Sequence, residues 1–106
     1  YNQDAYVNVA GGLELDEPAC DLPLAAAVVS SLRNVPLPPD WALIGEVGLT
    51  GEVRAVSMME RRLAECARMG FTHLILPKAN LRALRVPEGV EARGVTTLSE
   101  ALALLF

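Results

Sequence analysis

The chain is poor in the residues that most often carry chemistry. It has 106 residues, with two cysteines, one histidine and one lysine, and aromatic residues make up 5%. Cys20 and Cys66 lie far apart, with no CxxC and no HExxH, and His73 alone adds too little for a metal site. Both thiols fall in apolar helical patterns, CDLPLAAAVV and LAECARMG, and are expected to be reduced core residues of a cytoplasmic protein. The sequence has no P-loop and no GxGxxG, so nothing in it supports nucleotide binding. It has no GxSxG, and none of Ser30, Ser31, Ser57 and Ser99 neighbours a candidate base in sequence. The longest apolar run, Leu22 to Val29, contains Pro23 and is too short to cross a bilayer. No basic, leader-like stretch is seen, so neither secretion nor a membrane partner is expected. The chain opens on Tyr1 and not on Met, which suggests a piece of a longer protein.

What is present suits one folded domain spanning 1–106. Hydrophobic residues make up 52% and charged residues 21%, the opposite of a disordered chain. The net charge of −4 argues against autonomous nucleic-acid binding, which usually needs a basic face. The charge is uneven: residues 1–50 carry −6 and residues 51–106 carry +2. This split is either incidental or the mark of a bipolar domain that packs head to tail against copies of itself.

Patterning gives the order of elements. Alternation in AYVNVAGGLEL predicts a strand or strand pair near 5–15, with Gly11 and Gly12 at a bend. A helix follows, with Asp21 as N-cap, Pro23 in its first turn and Leu24, Val28 and Ser31/Leu32 on one stripe. It should stop before Val35-Pro36. WALIGEV and GEVRAV read as a hairpin around GLT. Ser57 and Glu60 form a capping-box pattern ahead of Leu63, Cys66 and Ala67, and Gly70 closes that helix. A buried strand over 72–76, a short helical turn over 80–85 and a strand over 90–95 come next. Thr97 and Glu100 make a second capping-box pattern, which opens the last helix. The alternation of strands and helices predicts a layered α/β (α+β) domain. His73, at the start of a buried strand, is expected to be packed or hydrogen-bonded, and Trp41 to anchor a core or its rim.

Several motifs then occur together. Gly45, Glu46 and Val47 precede a turn, Gly51 and Val53 follow it, and Leu76-Pro77 leads to Asn80. With DEPACDLPLAAAVVSSL upstream, this arrangement resembles the proteolytic domain of Lon. It more closely resembles the Lon-like C-terminal domain of the RadA (Sms) family of bacterial DNA repair proteins. The resemblance runs from about Val7 to Leu105. It implies a Lon-like layered sheet with helices, of the type seen in domain 2 of ribosomal protein S5. It also implies that a first β element belongs ahead of Tyr1 and that the chain is the C-terminal fragment of a longer ATPase.

Lon-type peptidases use a Ser–Lys dyad, and here Ala19 and Glu60 stand at the matching positions. A methyl group cannot attack a carbonyl, and a carboxylate cannot supply the amine that activates a hydroxyl. Cys20, one position on, is a displaced alternative nucleophile, but a one-residue step on a helix turns the side chain by about 100°. The resemblance therefore implies a non-catalytic assembly domain, with a hexameric ring in the parent protein. It implies a parent that drives branch migration in homologous recombination and meets DNA and a recombinase. ATP, Mg and Zn are expected only in upstream domains, with no cofactor and no metal here. Two other readings stand beside it. One is an active Lon-type peptidase. The other is a DNA-contacting module using Arg61, Arg62, Arg68, Lys78, Arg82, Arg85 and Arg93.

Overall fold

Residues 17–106 are described by a computed structural model, and the strand pair expected at 5–15 lies outside them. A 3₁₀ turn over Pro18–Cys20 runs straight into helix α1, Asp21–Arg33. Proline suits the first position of that turn, where its missing N–H would have no partner. α1 ends at Asn34, which takes φ 55° and donates its N–H to the carbonyls of Ser30 and Ser31. Asparagine tolerates this left-handed conformation better than a branched residue would. Then come β1 (Trp41–Leu43), β2 (Glu46–Val47), β3 (Val53–Arg54), helix α2 (Met59–Arg68) and β4 (His73–Pro77). The short helix α3 (Lys78–Leu81), β5 (Glu91–Val95) and α4 (Leu98–Leu105) complete the chain.

The domain is α/β. Strands β1, β4 and β5 form a parallel sheet in that order, with Trp41 opposite His73 and His73 opposite Glu91. A parallel strand buried on both faces needs a continuous apolar run, and β4 supplies one in Leu74, Ile75 and Leu76. Alternate side chains go to opposite faces. Ala42, Leu74 and Leu76 meet Leu63 and Cys66 of α2, while Leu43, Ile75 and Val95 meet Leu22 and Ala26 of α1 and Ala101 of α4. The result is three layers, with α2 and α3 on one face of the sheet and α1 and α4 on the other. Each fully buried leucine or isoleucine contributes roughly 1.5–3 kcal/mol.

Several expectations from pattern are corrected. The run 41–47 is not one strand of a hairpin. It breaks after Leu43, so β1 joins the parallel sheet and only β2 pairs antiparallel with β3. The α1 stripe is reversed: Leu22, Pro23, Ala26 and Ala27 are buried, whereas Val28 and Leu32 are exposed. Small alanines let α1 lie close to the sheet, and closeness outweighs side-chain size there. Asp21 is not the N-cap, since the 3₁₀ turn precedes it, and its carboxylate accepts the Val47 N–H at 3.1 Å instead. The Ser57 capping box is absent, because Met58 takes the N-cap position at φ 58° and no side chain caps the helix.

The local signals nearer the C-terminus hold. Gly70 follows α2 with φ 96°. The Thr97 hydroxyl accepts the Glu100 N–H at 3.1 Å, and the Glu100 carboxylate accepts the Thr97 N–H at 3.2 Å. Removing this cap with Thr97→Ala should cost roughly 0.5–2 kcal/mol. Denaturant unfolding checks it, and an unchanged midpoint would rule out a capping role. Gly94 sets the seat of α3, because a Cβ there would lie 2.9 Å from Lys78 Cα.

Candidate functional site

Ala19 and Glu60 occupy different surroundings. The Ala19 carbonyl accepts the Gly45 N–H at 3.0 Å, and the Gly45 carbonyl accepts the Leu22 N–H at 2.9 Å. Glycine permits this double clamp, since a Cβ at Gly45 would sit 3.1 Å from Val53 Cγ1 and 3.4 Å from Leu22 Cδ2. The Ala19 methyl is 1% exposed and packs with Ala42, Ile44, Met59 and Leu63. Glu60 follows Met59 on α2 and is exposed. Position 19 thus faces the core and position 60 faces water. The thiols are no better placed. Cys20 and Cys66 are both fully buried. Burial, with the nearby Glu65 charge, pushes the Cys66 thiol up to about 11, so it stays protonated and non-nucleophilic at neutral pH.

The basic side chains divide into two groups. Arg62 is the one arginine of the described residues that is not exposed. Its Nη2 bonds the Glu17 carboxylate and its Nε donates to the Ser57 carbonyl at 2.8 Å. Its Nη1 is buried with no hydrogen-bond partner among the described residues. Arg68 pairs with Glu65, and Arg93 pairs with Glu91 at 2.8 Å. Arg61, Lys78, Arg82 and Arg85 are exposed and have no ion-pair partner among the described residues. Of the seven cations named from sequence, these four remain open to an outside partner. Lys78, Arg82 and Arg85 share one segment, α3 and the turn after it.

Pattern did not foresee the contacts made in space. Trp41 stacks on His73 with ring centroids 4.9 Å apart and planes 6° from parallel. Thr72 Oγ1 lies 3.0 Å from His73 Nδ1, and Asp40 Oδ2 lies 3.7 Å from it. His73 is therefore packed and partnered, as expected of it. Asn80 places its carbonyl oxygen on the Val56 N–H and its amide on the Val56 carbonyl, both at 3.0 Å. No sequence periodicity reveals either set, because each joins segments far apart in the chain. The described residues contain no group of three or more His, Cys, Asp or Glu that could hold a metal ion. No described helix is long and apolar enough to cross a membrane.

The β2–β3 hairpin is held from within. Gly51 takes φ 85°, which glycine adopts without strain. The Glu52 carboxylate accepts from the Thr50 hydroxyl, the Thr50 N–H and the Arg54 guanidinium. The Thr50 hydroxyl first, and then Arg54, lower the Glu52 carboxyl from 4.5 to about 2. A lowered carboxyl steadies the fold above its unfolded pKa and loses that effect as pH falls through its folded one. The hairpin network should therefore be intact above pH 4.5 and lost towards pH 2. The Thr50 amide shift in NMR should titrate near the lower value. Glu52→Gln should abolish that titration, and its persistence would assign it to another group.

The family described as subunit ChlI of Mg-chelatase matches residues 2–80. Similar curated proteins are named DNA repair protein RadA. One, from Streptococcus pyogenes serotype M6, is 48% identical over 105 residues, which is 99% of this chain and 23% of the relative. Others, from Bacillus subtilis and Halalkalibacterium halodurans, are each 52% identical over 101 residues, which is 95% of this chain and 22% of the relative. The chain thus spans less than a quarter of the length of these relatives.

Proposed function

The chain belongs to the family described as subunit ChlI of Mg-chelatase and matches the C-terminal part of DNA repair protein RadA, and on that premise we propose a non-catalytic assembly role. It acts as a Lon-like scaffold that brings copies of its parent together, as a hexameric ring, in recombination and branch migration. ATP hydrolysis, with its Mg, and any Zn site belong to upstream parts of the parent. DNA and a recombinase are met through the parent, in the cytoplasm.

The observation that carries the non-catalytic part is the placement of Ala19. Its side chain is sealed in the core, while Glu60 faces water. Peptide hydrolysis needs a nucleophile, its base and oxyanion donors converging on one accessible point. Ala19→Ser with Glu60→Lys restores both side-chain types, and the double variant should still show no peptidase activity above background. A fluorogenic peptide assay tests this, and brisk hydrolysis would mean that a working groove is present. Sedimentation velocity over a wide concentration range tests assembly. A hexamer, or a ladder tending to six, is expected, and a strict monomer would remove self-assembly as a property of this chain.

A second reading has its own support in Arg61, Lys78, Arg82 and Arg85, four exposed cations without an ion-pair partner among the described residues. In a ring they would be repeated, and several weak phosphate contacts would add. That reading requires DNA affinity that falls steeply with salt, and a flat salt response would dismiss it.

A further inference from the structure

We infer that Asp40, Thr72, His73 and Trp41 form a proton-responsive unit at the N-terminal end of the parallel sheet, in which neutral His73 carries its proton on Nδ1 and takes up a second on Nε2. This unit is independent of any assembly of the chain.

The chain has one histidine and one tryptophan, and the fold stacks them. Trp41 and His73 are partners in the register of β1 and β4, so their side chains leave the sheet on the same face. Their ring centroids are 4.9 Å apart and their planes 6° from parallel. The backbone holds the pair in place. The Asp40 carbonyl accepts the Thr72 N–H at 3.1 Å and the His73 N–H at 3.3 Å, and the Thr72 carbonyl accepts the Glu91 N–H at 2.8 Å.

The Thr72 hydroxyl has one proton and two neighbours. Its Oγ1 lies 3.1 Å from Asp40 Oδ2 and 3.0 Å from His73 Nδ1. A carboxylate can only accept, and a bond to a charged acceptor is the stronger one. The hydroxyl proton therefore goes to Asp40. Both contacts are then hydrogen bonds only if Nδ1 donates to Oγ1. Donation runs from His73 to Thr72 to Asp40, and this order fixes the neutral ring as its Nδ1–H form. Nε2 keeps the lone pair. The His73 side chain is 34% exposed, and Nε2 is neither bonded within the described residues nor buried. Water reaches the atom that takes the second proton.

Histidine is the side chain that ordinarily changes charge between about pH 5 and 8. Uptake at Nε2 leaves both bonds of the relay intact. An imidazolium on an indole face is a cation–π pair, so the stack suits both charge states. What changes is the charge around Asp40, whose Oδ2 lies 3.7 Å from Nδ1 and gains a counter-ion. On the other side of β4, Glu91 stands opposite His73 in register and is already held by Arg93 at 2.8 Å. Asp40 is thus the carboxylate whose pairing depends on pH, and this end of the sheet loses one negative charge as the ring is protonated.

The test uses the 106-residue chain, whose single histidine and single tryptophan report without ambiguity. At the alkaline end of the histidine range, the imidazole nitrogen chemical shifts in NMR should show a protonated Nδ1 and a bare Nε2. The opposite pattern overturns the inference. Asp40→Ala, at an exposed position, leaves the hydroxyl proton free for Nδ1. The neutral ring should then revert to the Nε2–H form that predominates in free histidine, and a ring that stays Nδ1–H without Asp40 shows that the relay does not fix it. Trp41 emission should fall in one transition as the pH is lowered through the histidine range, because an imidazolium quenches the excited indole it stacks on. A flat profile overturns the proton response. His73→Gln should abolish the transition, and its persistence would assign it to another group and overturn the inference as well.

Discussion

Arg62→Ala should lower the unfolding free energy by about 3 kcal/mol, since removing one member of a largely buried ion pair leaves the other without compensation. The arginine side chain is 11% exposed and its Glu17 partner 32%. Water reaching Glu17 keeps the loss below that of a fully dry pair. A further contact goes with the guanidinium. The Ser57 carbonyl loses its 2.8 Å donor, and Met58 beside it is held at φ 58°. That conformation costs a non-glycine residue on the order of 1–2 kcal/mol and needs its surroundings to hold it. Arg62 thus ties the 3₁₀ turn before α1 to the junction between β3 and α2. For a domain of this size the thermal midpoint should fall on the order of 10–20 °C. Arg62→Lys should recover only part of the loss, because one ammonium cannot reproduce the planar fork that reaches both acceptors. The neighbouring Arg61→Ala is the control, exposed and without an ion-pair partner, and should change stability by no more than about 0.5 kcal/mol. Equal effects at 61 and 62 would show that the Glu17 pair contributes nothing.

Comparison of α4 with α2 shows what pattern alone can reveal. The cap of α4 is written within four residues, Thr97 to Glu100, and both of its bonds form. The pattern Ser57 to Glu60 is equally good on paper and fails. Arg62 takes the Ser57 carbonyl, and the helix starts one residue late, at Met59, with Met58 in the N-cap position. The deciding partner, Glu17, is remote in sequence, so no local window contains it. α1 teaches the same lesson from composition. Periodicity finds the row Leu24, Val28 and Leu32, but it cannot tell which row faces the sheet. The alanine face wins because Gly45 draws the backbone of the preceding turn onto the strands. At the positions that match the Lon dyad, the identities Ala19 and Glu60 are read directly from sequence. The core placement of Ala19 depends on Gly45 and on packing with Met59, which only the structure brings to it.

Asn80→Ala should cost about 2–3 kcal/mol, because it strips hydrogen bonds from both the N–H and the carbonyl of one partly buried residue. The Asn80 amide meets Val56 as a second strand would, accepting at 3.0 Å and donating at 3.0 Å. Val56 lies just beyond β3, where the ladder with β2 has ended. Nothing in the adjacent strand continues that ladder, and the Asn80 side chain takes its place. The bond also crosses the domain, since Asn80 sits on α3, directly after β4. This side chain therefore adds a second tie between the hairpin and the parallel sheet, beside the backbone bonds from Val53 N–H to the Thr96 carbonyl and from Leu98 N–H to the Gly51 carbonyl. Asn80→Asp separates the two halves of the latch. The carboxylate keeps the acceptor for the Val56 N–H but sets an oxygen against the Val56 carbonyl. It should cost at least as much as alanine near neutral pH, and less under acid, where a protonated carboxyl can donate again. Chemical denaturation of both variants at two pH values decides the matter. If Asn80→Asp is as stable as wild type at neutral pH, the amide is not donating to Val56, and the Asn that follows Leu76-Pro77 needs another explanation.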